Sequence, residues 1–164
     1  MTLDKTETRE ILTEKMELRE DEEGKRTLSG YAVKWGKKSH VLGYFRKFRE
    51  QFQKGAFADS LQKDDQRFLW SHDPSKVLGR TKNNTLRLTE DSTGLRFELD
   101  LPETTLGEDT YKSIKRGDVD GVSFGLRMEG HEMEEPDDDL PIRTVTKARL
   151  LEVSIVAFPA YPDS

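Results

Sequence analysis

Leu95-Arg96-Phe97-Glu98-Leu99-Asp100-Leu101 alternates apolar and polar side chains without a break. A helix cannot use that period of two, whereas a strand, whose successive side chains point to opposite faces, uses it directly. Leu86-Arg87-Leu88 carries the same alternation, and Glu90-Asp91-Ser92-Thr93-Gly94 between the two supplies turn chemistry. Together they predict a hairpin with one apolar face. An apolar face of that size has to be covered, so the chain must fold as layers of strands or helices laid against this hairpin.

The remaining patterns supply those layers. Residues 15–19 and 27–35 flank the polar Glu20-Asp21-Glu22-Glu23-Gly24-Lys25, a second hairpin signal with glycine at the turn. Residues 67–70 form a short strand, and Pro74 biases Asp73 to extended geometry and closes that strand. Residues 150–158 form a further strand ended by Pro159-Ala160-Tyr161-Pro162. A short helix is expected after Phe57, through Leu61. A second is expected to start in a capping box, with Thr105 as N-cap and Glu108 three residues on, and to run to Arg116 with Gly117 as its C-terminal glycine. Residues 36–49, basic and aromatic (Tyr44, Phe45, Phe48), are expected as a long loop, and so is the acidic stretch 129–141. Many short strands with two short helices predict a β-rich (α+β) fold, a closed β-barrel of mostly antiparallel strands with a few peripheral helices. Residues 1–14 are expected to be a mobile N-terminal segment and 15–164 a single domain.

Composition narrows the function classes. The net charge is −5 and the basic residues are interspersed with acids, which argues against a nucleic-acid partner. The absence of cysteine removes disulfides, thiolate nucleophiles and thiolate metal sites together. No apolar run has transmembrane length, and the first residues lack the apolar region of a signal peptide, so the expectation is a cytoplasmic protein with no membrane partner. The run Asp137-Asp138-Asp139 defines no calcium-ligand spacing, and His131-Glu132-Met133-Glu134-Glu135 lacks the second histidine of a zinc-hydrolase motif. Neither cofactor nor metal is expected.

The candidate chemistry centres on Gly121-Val122-Ser123-Phe124-Gly125-Leu126-Arg127. Its apolar residues alternate with Ser123, Gly125 and Arg127, so Ser123 faces away from the apolar row, between two glycines that leave room for a peptide backbone. A serine beside glycine in a strand is by itself only weakly informative. A base must come from His40, His72 or His131. His40 and His131 lie in the two polar loops, whereas His72 follows the apolar Phe68-Leu69-Trp70. Glu152 interrupts the apolar Leu150-Leu151-Glu152-Val153-Ser154-Ile155-Val156 and needs a partner, since burying an unpaired charge is costly. A histidine donating its second ring nitrogen would be one.

The chain resembles the prohead (capsid maturation) proteases of HK97-type tailed phages. The matching pieces, in order, include Gly30-Tyr31-Ala32-Val33, Gly55-Ala56-Phe57, Ser71-His72-Asp73, Leu101-Pro102-Glu103-Thr104, Gly121-Val122-Ser123-Phe124-Gly125 and Leu151-Glu152-Val153-Ser154. They cover residues from about 28 to 162, and the specificity lies in their order and spacing. The resemblance implies a herpesvirus-assemblin-like barrel, with Ser123 as nucleophile, His72 as general base and Glu152 as third member; Asp73, Asp91 and Asp120 are the alternatives to Glu152. An oxyanion hole is required, with Arg127, Arg143, Arg149 or backbone amides as candidates. The implied partners are the phage major capsid protein with its scaffolding segment and the protease itself, through self-cleavage, and the barrel edges and aromatic loop could support a homodimer. The implied place is the bacterial host cytoplasm, inside the immature capsid. A further tail is expected beyond Ser164, lost by truncation or self-cleavage. Two other classes compete: a catalytically silent β-barrel acting as a capsid-assembly module, and a metal-dependent hydrolase built on His72.

Overall fold

A computed structural model describes residues 6–12 and 16–157. Among these residues, ten strands and two helices follow one another as β1 (Glu7–Leu12), β2 (Glu17–Glu20), β3 (Arg26–Lys34), β4 (Arg49–Phe52), α1 (Ala58–Lys63), β5 (Arg67–Trp70), β6 (Asp73–Arg80), β7 (Leu86–Glu90), β8 (Gly94–Asp100), α2 (Thr105–Arg116), β9 (Gly121–Glu134) and β10 (Ile142–Val156). No helix among the described residues is long and apolar enough to cross a membrane.

Both expected hairpins form. β2 pairs antiparallel with β3, and β7 with β8, where Asp91 Oδ1 accepts the Thr93 and Gly94 amides at 2.8 and 3.0 Å and closes the turn. β3 then pairs with β8, giving a four-stranded sheet in the order β2-β3-β8-β7. The second sheet has six strands, β1-β9-β10-β5-β6, with β4 attached to β10 beside this path.

Neither sheet closes, which corrects the expected barrel. β9 and β10 make a long hairpin, and β10 changes register between Val145 and Lys147, between Lys147 and Ala148, and between Leu150 and Glu152. Such irregularities bend a strand. On its outer flank β10 takes two successive parallel partners, β4 along Ile142–Val145 and β5 along Glu152–Ile155. The sheet therefore forks at its middle instead of returning to its first strand. Apolar faces meet across the two sheets: Phe68 of β5 lies 5.2 Å from Phe97 of β8, ring to ring. Phe52 and Phe57 pack on Phe124 of β9 at 5.5 and 6.0 Å.

Other expectations shift in detail. α2 is capped by Thr104, whose hydroxyl accepts the Gly107 amide at 3.1 Å, one residue before the expected Thr105. Glu108 is instead bonded by Arg26 and faces Lys112 at 3.4 Å. Gly117 ends the helix at φ 88°, a conformation glycine adopts without steric cost. Residues 129–134, expected in a loop, continue β9, paired with the start of β10 and mostly exposed, because a strand at the edge of the sheet can carry polar side chains. Within the segment 1–14, Glu7–Leu12 pair antiparallel with β9. The expected stop at Pro159-Ala160-Tyr161-Pro162 lies outside the described residues.

Candidate active site

Three neighbouring strands bring the site together. Ser123 lies on β9 and Glu152 on β10, with Gly125 directly opposite Glu152 and Ser123 opposite Ser154 in the ladder. A Cβ on Gly125 would come within 3.0 Å of Glu152 Oε1, so the bare backbone lets the carboxylate lie over β9. His72 comes from the far side of β10, on the two-residue turn between β5 and β6 that Trp70 and Asp73 close as a pair.

That turn is the least regular part of the fold. Ser71 and His72 both sit in the left-handed region, with φ 50° and 59°. This is the hairpin geometry that normally selects Asn-Gly, and it costs side-chain-bearing residues about 1–2 kcal/mol each. Hydrogen bonds to β10 hold it: Ser71 N–H donates to Ile155 O at 2.8 Å, and His72 N–H to Ser154 Oγ at 3.0 Å. Pro74 does not close the strand as expected. It falls in a bulge of β6, between the Trp70–Asp73 and Leu69–Val77 pairs, where the ladder asks nothing of its missing N–H.

The three side chains form one chain of hydrogen bonds. His72 Nδ1 lies 2.5 Å from Glu152 Oε1, and His72 Nε2 lies 2.7 Å from Ser123 Oγ. A carboxylate can only accept, so Nδ1 carries the proton and Nε2 presents a lone pair to the serine hydroxyl. The histidine and glutamate side chains are 29% and 18% exposed, whereas Ser123 is wholly buried.

Ser154 is a participant the sequence reading missed. It is fully buried, its hydroxyl donates to Glu152 Oε2 at 2.7 Å, and its Oγ also accepts the His72 amide. One side chain thus ties the carboxylate and the histidine backbone to β10. Only its place two residues after Glu152, on the same strand face, could have signalled this.

Asp73, Asp91, Arg143 and Arg149 are engaged with other partners. Asp73 accepts the Ser75 amide and hydroxyl at 2.9 and 2.6 Å, and Asp91 accepts Tyr31 OH at 2.6 Å. Asp120 is exposed, just before β9. Arg149 holds Asp64 and Asp59 at 2.6–2.9 Å, and Arg143 holds Glu50 at 2.7 and 2.9 Å, so both guanidiniums are engaged away from Ser123. Arg127 lies further along β9, half-buried. His131 is exposed on the outer arm of β9, and His40 lies in the loop before β4, whose Tyr44 and Phe45 stand almost fully in solvent. Among the described residues no three of His, Cys, Asp and Glu are grouped to hold a metal ion.

A serine, a histidine and a carboxylate bonded in series make up the constellation that recurs in serine hydrolases on unrelated folds. Here it is carried by an open sheet. The chain belongs to the family of caudovirus prohead serine proteases, whose model matches residues 14–164. No curated protein and no solved structure matches it, so the likeness to herpesvirus assemblins has no structural support.

Proposed function

We propose that the protein is a serine endopeptidase of phage capsid maturation, which cleaves the scaffolding segment of the major capsid protein and also itself, inside the immature capsid in the bacterial host. The observation that carries this reading is the 2.5 and 2.7 Å pair of hydrogen bonds linking Glu152, His72 and Ser123. They join three segments far apart in sequence, within a chain of the prohead serine protease family.

The chemistry is acyl transfer. Neutral serine is a weak nucleophile, and His72 Nε2 is placed to take the Oγ proton as Oγ attacks the scissile carbonyl carbon. The imidazolium then gives that proton to the departing amine nitrogen, the C–N bond breaks, and the acyl group remains on Ser123 as an ester. Water attacks the ester, gives its proton to Nε2, and the proton returns to Ser123 Oγ as the acid product leaves. Glu152 accepts from Nδ1 throughout, fixing the tautomer and stabilising the imidazolium. Ser154 is a positioning residue: it holds the second carboxylate oxygen and the His72 backbone and touches no reacting atom.

The test is co-expression of the wild-type and Ser123→Ala chains with the cognate major capsid protein, followed by intact-mass analysis. Cleavage by the wild type and none by a folded Ser123→Ala chain is expected. Equal cleavage by both would reject Ser123 as nucleophile, and no cleavage by either would favour a silent assembly module.

A further inference from the structure

The direction from which His72 reaches Ser123 bears on where a peptide can lie. The strand order is β1-β9-β10-β5-β6, and the imidazole arrives over β10 from the β5–β6 turn. The carbonyl under attack has to meet an Oγ lone pair that is not turned to the base, and the flank of β9 away from β10 is the one the base leaves open to it. An extended peptide is commonly bound by adding a strand to a sheet, where main-chain hydrogen bonds give affinity and side-chain pockets give selectivity. β9 has two flanks. β10 fills one, and β1 lies along the other, with Glu10 opposite Ser123 and Arg9 opposite Phe124.

β1 is also held by a side-chain contact of high specificity. Glu50 of β4 is a carboxylate with a side chain only 1% exposed. Arg143 of β10 bonds it through Nε and Nη2 at 2.9 and 2.7 Å. Arg9 of β1 bonds it from the other side, through Nε to Oε1 and through Nη2 to Oε2 at 3.1 Å. A carboxylate this deep is stable only when compensated by cations and hydrogen bonds. Arg143 is built into the sheet, whereas Arg9 arrives with the strand that covers the flank. A forked guanidinium suits this two-oxygen contact better than a lysine ammonium does.

We propose that the flank of β9 taken by β1 is the seat of the peptide substrate, that Glu50 selects an arginine one residue before the residue facing Ser123, and that β1 is the chain's own occupant, which substrate displaces. The proposal rests on the endopeptidase reading for the identity of the ligand as substrate. It also accounts for a nucleophile that is wholly buried: with β1 seated, both flanks of β9 are filled.

The experiment measures binding apart from turnover. A fluorophore-labelled synthetic peptide with the sequence of residues 6–12 is titrated against the full chain carrying Ser123→Ala and Arg9→Ala. The same peptide with norleucine in place of arginine is the control, and it leaves the protein unchanged. The arginine peptide should bind about tenfold tighter or more, the ratio a charge-assisted hydrogen-bonded pair supplies. Adding Glu50→Gln should erase the difference. Equal binding of the two peptides, or binding of neither, overturns the proposal. With Ser123 intact and cleavage detected, Arg9→Ala should raise the cleavage rate of an arginine-bearing peptide severalfold over wild type, and a measurable rate that is unchanged or lower overturns the occupancy of the seat by β1. Arginine-selective binding without Ser123-dependent cleavage would keep the seat and reject the endopeptidase reading instead.

Discussion

The two sheets share one core and differ in regularity. The four-stranded sheet is built from antiparallel pairs, with a single register shift between Tyr31 and Val33, and its strands bury one polar residue, Ser29. The six-stranded sheet contains five register shifts, two parallel pairs and a turn with two positive-φ residues, and its strands bury Glu50, Ser123 and Ser154. Regular pairing fixes which face is apolar and little else. Bringing a serine, a histidine and a glutamate from three strands to one point requires departures from the ladder, and regular packing behind the site compensates for their strain. The irregular sheet should therefore lose activity before stability under substitution, and the regular sheet the reverse.

His72→Ala gives the largest expected effect. It should lower capsid-protein cleavage by about 10⁴-fold or more, the scale on which members of such a unit fail, while the midpoint of thermal unfolding stays near the wild-type value. It also relieves nothing in the backbone, since alanine is no better suited than histidine to φ 59°. Phe97→Ala is its counterpart in the regular sheet. The ring is wholly buried against Phe68, and its removal should destabilise by about 3–5 kcal/mol in chemical denaturation. The fraction that remains folded should cleave at the wild-type rate. A large loss of kcat in folded Phe97→Ala protein would break the proposed division between the sheets.

Within the site the expected ranking is finer. Glu152→Gln should cost less than Ser123→Ala or His72→Ala, because the imidazole can still be held while its cation is less stabilised. Ser154→Ala should lower kcat about 10-fold, the equivalent of one lost hydrogen bond, with KM unchanged. Ser154→Thr, which keeps the hydroxyl, should recover most of it. A change confined to KM, or no recovery with threonine, would remove Ser154 from the positioning role.

Much of the regular sheet was legible in the sequence. Unbroken alternation in Leu95–Leu101 and turn residues around Asp91 and Gly94 dictate a hairpin, and Gly117 marks the end of α2. Ser123, His72 and Glu152 could each be singled out by residue type and local pattern. Their convergence was implied by the family resemblance and not by local pattern, because the Ser71-His72 turn has none of the glycine or asparagine that announces positive φ, and Pro74 suggested a strand end where the chain makes a bulge. Ser154 was hidden by chemistry common in any strand, and its role exists only once β5 is docked on β10. Barrel closure was wrongly inferred for a related reason. Alternation determines faces, whereas closure depends on which edges meet, and the register shifts of β10 decide that.

The smallest effect concerns the outer face of the regular sheet and tests whether it is as detached from the chemistry as its geometry implies. Asp100 accepts two hydrogen bonds from Arg87 across the β7–β8 hairpin, at 2.9 and 3.0 Å. The hydrogen bonds to Arg87 hold its carboxyl below the usual range, against the opposing pull of partial burial. A carboxyl that ionises more readily in the folded chain stabilises the fold above its unfolded pKa of about 3.9. That contribution is lost as pH falls through the lower folded value. The unfolding midpoint should therefore be flat from pH 7 to about 5 and fall below about pH 4. In Asp100→Asn protein the acid fall should be shallower, because the variant has no charge there to neutralise, and kcat at pH 7 should match the wild type. A changed kcat would mean that the β7–β8 face communicates with Ser123 through the core, and the contrast between the sheets would then be one of degree.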